Sequence, residues 1–495
     1  MSVAAQSRDG EIEMSVKPPN MVIFMPDELR WDCVGYTGNK VIQTPNIDRL
    51  ASQGTGFNNF YVNHTVCSPS RVCMFTGWYP HVRGHRTLWY LLQPDEPNVF
   101  RYLKDAGYHV EFWGKNHLLA DASVPSSVSF RGTVDYDRNR SMRNNPIDPD
   151  DRWFRTLYYG ERPSSEANDY DRQWIDGALN FLNSNPPEPF CLYIPLFFPH
   201  PPYWVEEPYF SMYNRDAVPT PLRAEHSQKP LYYSELHHSR GLDKFTPEDL
   251  REIVATYYGM VSRIDDQLGE VISAMKNNGF WDTTATFFFS DHGDYVGDYG
   301  LTEKWPSGLE DCLTRVPLAV RIPGLGPQPI TDALTETVDL TPTILELAGI
   351  DLRHDQFGRS LMPLLRGETA HHRDAVFAEG GHGLHETQSL EIKEYSTDSK
   401  NGGYYQKSRI QTDNPDSVCK SVMVRTHKWK YISRLHDTDE LYDMDNDPGE
   451  LNNLINQPGH SEVQSGLRGE LLSWFMRTGD VVPWNKDEAG RPSND

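Results

Sequence analysis

The sequence predicts an α/β fold: a large, mostly parallel sheet sandwiched by helices, with a smaller C-terminal α+β subdomain. Its 495 residues suggest two to three domains, or one large α/β domain with a smaller appendage. Apolar, β-branched runs alternate with helical patterns up to about residue 370, as in sheets whose parallel strands are connected by helices. After that point, short strand patterns follow one another. We therefore expect a catalytic domain over residues 20–370 and a subdomain over 371–480.

The strands predicted in the first part are continuous apolar runs, the pattern of strands that are buried on both faces. They cover residues 21–25, 109–113, 190–197, 284–290 and 317–322. Helices with amphipathic spacing are predicted over residues 45–54, 99–106, 174–182, 247–277 and 337–348. In such sheets, ligands bind beyond the carboxyl ends of the strands.

The sequence pattern after about residue 370 predicts a short antiparallel sheet and a terminal helix. Its strands are predicted over residues 375–379, 421–426, 429–434 and 440–442, and its helix over 462–477. No internal repeat or low-complexity tract interrupts this order.

Composition excludes several classes of partner. The formal net charge is −23, from 47 basic and 70 acidic residues, so the surface repels nucleic acid and anionic membranes.

The six cysteines form no C-x-x-C pair, which argues against a disulfide framework and a structural zinc site. No run of about 18 apolar residues is present, and the charged first twenty residues differ from a secretory signal. We expect a cytoplasmic protein.

Polar residues that can bind a cation follow two of the predicted strands. Asp27 and Glu28 come directly after the first strand, and Asp291 and His292 follow the strand over 284–290. Paired acids at the end of a buried strand are costly unless they bind a cation or are well hydrated. We expect a divalent cation there, although a solvated strand end is the alternative.

Cys67-Ser68-Pro69-Ser70-Arg71 matches the pattern C-x-P-S-R, and Thr76-Gly77-Trp78-Tyr79-Pro80 follows it. With Asp291-His292-Gly293 downstream and the run over residues 440–450 (ELYDMDNDPGE), the chain resembles the type I, formylglycine-dependent sulfatases of the alkaline phosphatase superfamily. The resemblance extends over roughly residues 20–480. It implies that a formylglycine-generating enzyme oxidises Cys67 to the aldehyde that becomes the nucleophile.

The resemblance also implies roles for other residues. Arg71 would stabilise the nucleophile, Lys115 and Lys304 would bind sulfate oxygens, His117 would assist the nucleophile, and His200 would protonate the leaving oxygen. The implied metal ligands are Asp27, Glu28, the Cys67-derived residue, Asp291 and His292. The family usually has two aspartates at the first strand end, so Glu28 departs from its pattern. Ca²⁺ is the expected metal, and the imidazole ligand makes Mn²⁺ the alternative.

These residues predict a metal-dependent hydrolase of a small alcohol or sugar sulfate ester. One alternative is a phosphonate monoester or phosphodiester hydrolase, because sulfate and phosphate esters share tetrahedral geometry. A second is a non-catalytic sulfate-ester binding protein in which Cys67 stays a thiol. Arg138, Arg140 and Arg143 could also meet an anionic substrate, although such clusters are more often solvated surface. The oligomeric state is left open, with a homo-oligomer as one alternative.

Overall fold

The structure is a computed structural model that describes residues 18–134, 145–163, 169–390 and 403–483. Arg138, Arg140 and Arg143 lie outside the described residues. The strands are β1 (Asn20–Asp27), β2 (Thr55–Tyr61), β3 (His109–Phe112), β4 (Phe130–Arg131), β5 (Tyr158–Glu161), β6 (Phe190–Pro199), β7 (Tyr203–Val205), β8 (Thr284–Phe289), β9 (Arg315–Arg321), β10 (Thr335–Glu336), β11 (Ala375–Gly380), β12 (Ser421–Thr426), β13 (Trp429–Arg434) and β14 (Glu440–Asp443).

The α-helices are distributed along the whole described chain. They are α1 (Pro45–Gln53), α2 (Cys67–Thr76), α3 (Pro80–Arg83), α4 (Val99–Asp105), α5 (Val124–Ser127), α6 (Tyr170–Asn183), α7 (Leu231–Ser239), α8 (Arg251–Asn277), α9 (Asp311–Thr314), α10 (Leu340–Ala348), α11 (Met362–Leu365), α12 (Gly403–Asp413) and α13 (Ser461–Thr478). Within the described part of the chain, none of the helices combines the length and apolar character needed to cross a bilayer.

The main sheet is mostly parallel, as predicted. Among the described residues it has eight strands in the order β10-β2-β9-β8-β1-β6-β3-β4. All neighbouring pairs run parallel except those of β9, which lies antiparallel to both β2 and β8. The central strand β1 is paired in parallel with β6 on one side and β8 on the other.

Both faces of this sheet are covered, so alternate residues of one strand enter two different cores. Val22 and Phe24 of β1 pack with residues of α6 and α8, whereas Met21, Ile23 and Met25 pack with residues of α2, α4 and α10. Every residue of β1 is buried, which explains its continuous apolar sequence. The predicted sheet between two helical layers is confirmed.

The C-terminal sheet is antiparallel, with strand order β11-β12-β13-β14. Phe377, Val424 and Tyr431 on one of its faces pack with Trp474 of α13. Residues of the opposite face pack with Tyr61, at the end of β2. The predicted C-terminal α+β unit is confirmed, and its sheet is attached to the main body through its inner face.

The long helix α8 begins at Arg251, four residues later than predicted. The preceding residues form a turn in which the Thr246 amide donates to Asp249 Oδ2 and the Asp249 amide donates to Thr246 Oγ1, at 2.9 and 3.2 Å. This reciprocal arrangement satisfies amides that a helix would otherwise leave unpaired. The helix then continues to Asn277, as predicted.

Candidate active site

Four neighbouring parallel strands bring their carboxyl ends to one edge of the sheet. Asp27 is the last residue of β1, Asp291 lies two residues after β8, Lys115 follows β3, and His200 directly follows β6. Because β1 pairs in parallel with β6 and β8, and β6 pairs in parallel with β3, these side chains leave the sheet at the same end.

Cys67 is the first residue of α2, so the amino end of this helix lies at the same edge of the sheet. The preceding Val66 is extended, and all ten helical residues are buried. Gly77 ends the helix in a left-handed conformation, with φ of 73°, that glycine adopts readily. Cys67 Sγ lies 3.2 Å from His292 Nε2 and 3.4 Å from Asp27 Oδ1.

Asp27, Cys67, Asp291 and His292 form a buried four-residue cluster whose potential ligand atoms all lie within 4.8 Å of one another. His292 Nδ1 lies 2.9 Å from the Gly293 carbonyl oxygen, to which it donates. Burial lowers the pKa of His292 to about 4, so the imidazole is neutral and Nε2 offers a lone pair to the cluster. Two carboxylates and a neutral imidazole fit a divalent cation.

Arg71, one helical turn after Cys67, joins the two acids of the cluster. Its Nε donates to Asp291 Oδ2 and its Nη2 to Asp27 Oδ2, both at 2.8 Å, and its side chain is completely buried. Lys115 Nζ donates to the same Asp27 oxygen at 2.6 Å. Although burial raises the pKa of Asp27, Lys115 and Arg71 hold it well below its usual range. Asp27 is therefore ionised.

Glu28, which the sequence also predicts as a metal ligand, lies outside the four-residue cluster but forms a second group with Asp27 and His200 whose potential ligand atoms lie within 4.8 Å of one another. Its φ of 69° is rare for a residue other than glycine, and it directs the Glu28 amide to Asp291 Oδ1 at 3.1 Å. Its carboxylate accepts a hydrogen bond from Lys304 Nζ at 2.7 Å and lies 3.5 Å from His200 Nε2. Glu28 Oε1 has no partner among the described residues, and burial raises the pKa of this carboxyl well above its usual range.

A cavity of about 90 Å³ opens above Cys67. Lys115, His117, His200 and Lys304 line it, so all the predicted sulfate-contacting and proton-transferring residues meet there. His200 Nδ1 donates to the Pro201 carbonyl oxygen at 2.7 Å, which directs Nε2 towards Glu28 and the cavity. Burial, with Lys304 and Lys115 nearby, lowers the pKa of His200 well below its usual range. Burial and Lys115 do the same for His117.

The cavity has further polar residues that sequence reasoning missed. Glu303 precedes Lys304, and Tyr404 and Lys407 belong to α12. Burial raises the pKa of Glu303, but Lys407, Lys304 and Arg240 together hold it at about 2. The only sequence signal for Glu303 was its position beside Lys304. Helix α12 offered none, because its sequence, GYYQKSRIQTD, has no clear apolar stripe.

Comparison with known families identifies the main domain. The model of the sulfatase family matches residues 19–350, which is more than half of the chain and includes the four-residue cluster. The chain belongs to the sulfatase family. Its activity class is therefore sulfuric ester hydrolysis. A second family model, described as the C-terminal part of N-sulphoglucosamine sulphohydrolase, matches residues 382–476 of this sulfatase.

Relatives of this sulfatase extend over nearly the whole chain. An arylsulfatase of Clostridium perfringens is 27% identical over 92% of this chain and 94% of its own length. The multifunctional alkaline phosphatase superfamily protein PehA of Trinickia caryophylli is 26% identical over 93% of this chain and 96% of its own length. The solved phosphonate monoester hydrolase of Agrobacterium radiobacter superposes with a TM-score of 0.74 at 23% identity, covering 96% of this chain and all of the other. At 23% identity, the similarity to this solved structure supports the fold assignment and not a function.

Proposed function

We propose that this sulfatase hydrolyses a sulfate ester of an alcohol or sugar with a formylglycine derived from Cys67 and a divalent metal. The observation that supports this most is the four-residue cluster of Asp27, Cys67, Asp291 and His292 at the base of a cavity lined by Lys115 and Lys304. It combines metal-ligating atoms, a residue that can become a nucleophile, and cations suited to a sulfate.

The surroundings of Cys67 favour its conversion over use of the thiol. Without a metal, burial and the neighbouring Asp27 raise the pKa of the Cys67 thiol to about 12, and a sulfated thiol would have no second hydroxyl with which to expel sulfate. The hydrated aldehyde supplies two hydroxyls on one carbon: one attacks sulfur, and the other expels sulfate by C–O cleavage and restores the aldehyde. Arg71 and Lys115 lie close enough to stabilise negative charge at this position.

Asp27, Asp291, His292 and the oxygen at position 67 would hold the metal. A divalent cation at this position would lower the pKa of the nucleophile and neutralise charge on the sulfate. Ca²⁺ is the metal we propose first because most donors are oxygens, and Mn²⁺ second because His292 supplies nitrogen. Glu28 stays a predicted ligand, but its ion pair with Lys304 favours a role beside the metal.

The remaining residues divide between the sulfate and the leaving oxygen. Lys115 Nζ lies 3.7 Å from Cys67 Sγ and, with Lys304, would hold sulfate oxygens. His117 would assist the nucleophile. His200 reaches the cavity through Nε2. Before sulfate binds, burial and the two lysines keep its imidazole neutral, so it would pass a proton to the departing oxygen only after the negative charge of a bound sulfate offsets those lysines and Nε2 takes up a proton. We also propose residues 20–370 as the catalytic domain and 371–480 as the C-terminal subdomain, which contributes α12 to the cavity.

The second candidate is hydrolysis of a phosphonate monoester or phosphodiester. It is favoured by the similarity to PehA, a multifunctional member of the alkaline phosphatase superfamily that is 26% identical to this chain. The third, a non-catalytic binding protein, requires that Cys67 stay a thiol.

Two measurements on protein made with a formylglycine-generating enzyme test the three candidates. The first is the mass of the peptide that contains Cys67. The second compares kcat/KM for a sulfate ester and a phosphodiester of the same alcohol. We expect an aldehyde at position 67 and preference for the sulfate. Preference for the phosphodiester would establish the second candidate, and a thiol in protein without turnover would establish the third.

A further inference from the structure

The cavity wall is cationic in an otherwise acidic protein. The net charge of the chain is −23, but Lys115, Lys304 and Lys407 all line this cavity, and Glu303 is the one carboxylate among its described lining residues. Lys115 follows β3 and Lys304 lies in the connection between β8 and α9, and both suit the sulfate. Lys407 belongs to α12 and has no role in the proposed chemistry.

Lys407 is 6% exposed, yet its ammonium is only partly satisfied. Within the described part of the chain, Nζ donates one hydrogen bond, to Glu303 Oε1 at 2.8 Å, although an ammonium has three donors. The same oxygen lies 3.7 Å from Lys304 Nζ, and Arg240 donates to the other carboxylate oxygen at 2.6 Å. Because Lys304 also pairs with Glu28, three cations share two carboxylates, and the group retains an excess of positive charge.

Helix α12 places Lys407 on the leaving-group side of the cavity. The Tyr404 hydroxyl donates to the Pro201 carbonyl oxygen at 3.0 Å, and its ring stacks on the His200 imidazole with centroids 6.5 Å apart and planes at 21°. Residues three apart lie on the same helix face, so Lys407 neighbours Tyr404. Since His200 is the residue proposed to meet the leaving oxygen, Lys407 faces the part of the substrate beyond that oxygen.

We propose that Lys407 binds an anionic substituent, a carboxylate or a second sulfate, on the alcohol portion of the substrate. This inference rests on the proposed sulfate ester hydrolysis and narrows it to substrates with two negative groups. Such a substituent would accept the remaining Lys407 donors and balance the positive charge around Glu303. A neutral substrate would displace water from these donors without replacing its hydrogen bonds, which is the kind of loss that produces strong discrimination.

Two pairs of substrates measure this preference. A sulfated hexuronic acid is compared with its methyl ester, and a hexose disulfate with the corresponding monosulfate. The ratio of kcat/KM within each pair isolates the charge of the substituent. In the unchanged protein we expect at least one ratio to favour the charged member by about 10–100-fold. A preference within the hexuronic acid pair would indicate that the bound substituent is a carboxylate, and a preference within the disulfate pair would indicate a second sulfate.

Variants assign the preference to Lys407. Lys407→Met keeps the length of the side chain and should lower the favoured ratio at least tenfold, whereas Lys407→Arg should retain most of it. Arg409→Met is the matched control, because it removes an exposed cation from the same helix that pairs with Asp413. Ratios near one in the unchanged protein, or a ratio unaltered in Lys407→Met, would overturn the proposal. Lack of turnover with every sulfate ester, including an activated aryl sulfate, would instead overturn the proposed function on which it rests.

Discussion

Lys304 Nζ lies 2.7 Å from Glu28 Oε2, so the residue after β1 directs one carboxylate oxygen to a lysine of the cavity, whereas Asp27 at the end of β1 belongs to the four-residue cluster. Both side chains are almost completely buried, so removal of either would leave the other without its nearest hydrogen-bond partner. Two acids that are adjacent in sequence therefore have different partners: Asp27 lies beside Cys67, and Glu28 pairs with Lys304, although oxygens of the two carboxylates lie within 4.8 Å of each other.

The ligand set can be tested by metal content. Asp291→Asn and His292→Ala should lose the metal and the activity, because each removes a donor from the cluster. Glu28→Gln should keep its metal, since its carboxylate faces Lys304. Elemental analysis of each purified variant, with circular dichroism to verify folding, measures this. A metal-free Glu28→Gln protein would place Glu28 among the ligands, and full activity of chelated enzyme would refute the metal altogether.

Modification should be confined to Cys67. Only this cysteine has proline at +2 and arginine at +4, and Cys73 packs in the core beside Tyr79. In a host with the modifying enzyme, peptide mass spectrometry should find an aldehyde at position 67 and a thiol at position 73. Cys67→Ala should abolish turnover, and Cys73→Ala is the control that should retain it. A thiol at position 67 in fully active enzyme contradicts the prediction.

His200 and Lys304 should differ in their dependence on the leaving group. His200→Ala should slow sulfates of basic alcohols by about 10²–10⁴-fold, because these need a proton, and should nearly spare aryl sulfates with acidic phenols. Lys304→Ala should slow both classes to a similar extent, because it holds the sulfate. Plots of log kcat/KM against leaving-group pKa give the two slopes. Equal slopes for the two variants would show that this division of roles is wrong.

The position of the Asp291–His292 loop should depend on Gly293. A Cβ at this residue would lie 1.9 Å from the Cys312 carbonyl oxygen, closer than any real contact, so Gly293→Ala must displace the loop. We expect a loss of about 1–3 kcal/mol in the free energy of unfolding, and reduced activity. Gly469→Ala in α13 is the control: a Cβ there meets nothing within 4 Å. Because alanine has a higher helix propensity than glycine, Gly469→Ala should raise the free energy of unfolding by up to about 1 kcal/mol. Denaturant unfolding of both variants measures these changes. A Gly293→Ala protein with unchanged stability and activity would contradict the prediction.

The sequence was most informative where local chemistry determines structure. Continuous apolar runs predicted β1, β3, β6 and β8, and the polar residues after them were correctly expected at one edge of the sheet. Strand β2 was missed because Asn58 and Asn59 interrupt its apolar pattern, at the point where its register with β9 shifts. The fold class could be predicted because buried strands have continuous apolar sequences. Strand β2 could not, because its irregular pairing with β9 leaves no such pattern in the sequence.

Within the candidate site, long-range packing limited what could be predicted. The left-handed backbone of Glu28 separates two consecutive acids, and nothing in their sequence distinguishes them. Lys407 reaches the cavity because Tyr404 attaches α12 to Pro201, a contact between residues 203 positions apart. Such contacts depend on tertiary geometry, so a lysine in a helix without a clear apolar stripe looks like any solvated surface residue.

The burial of α2 has a consequence for how the protein must be made. Cys67 is 1% exposed, and the helix that begins with it is enclosed on all sides. A modifying enzyme must reach the thiol to oxidise it, and the folded chain does not expose Cys67. The proposed oxidation must therefore compete with folding in time, on the nascent or newly released chain. Molecules that fold first would remain permanently inactive, so specific activity would report the supply of modifying enzyme during synthesis.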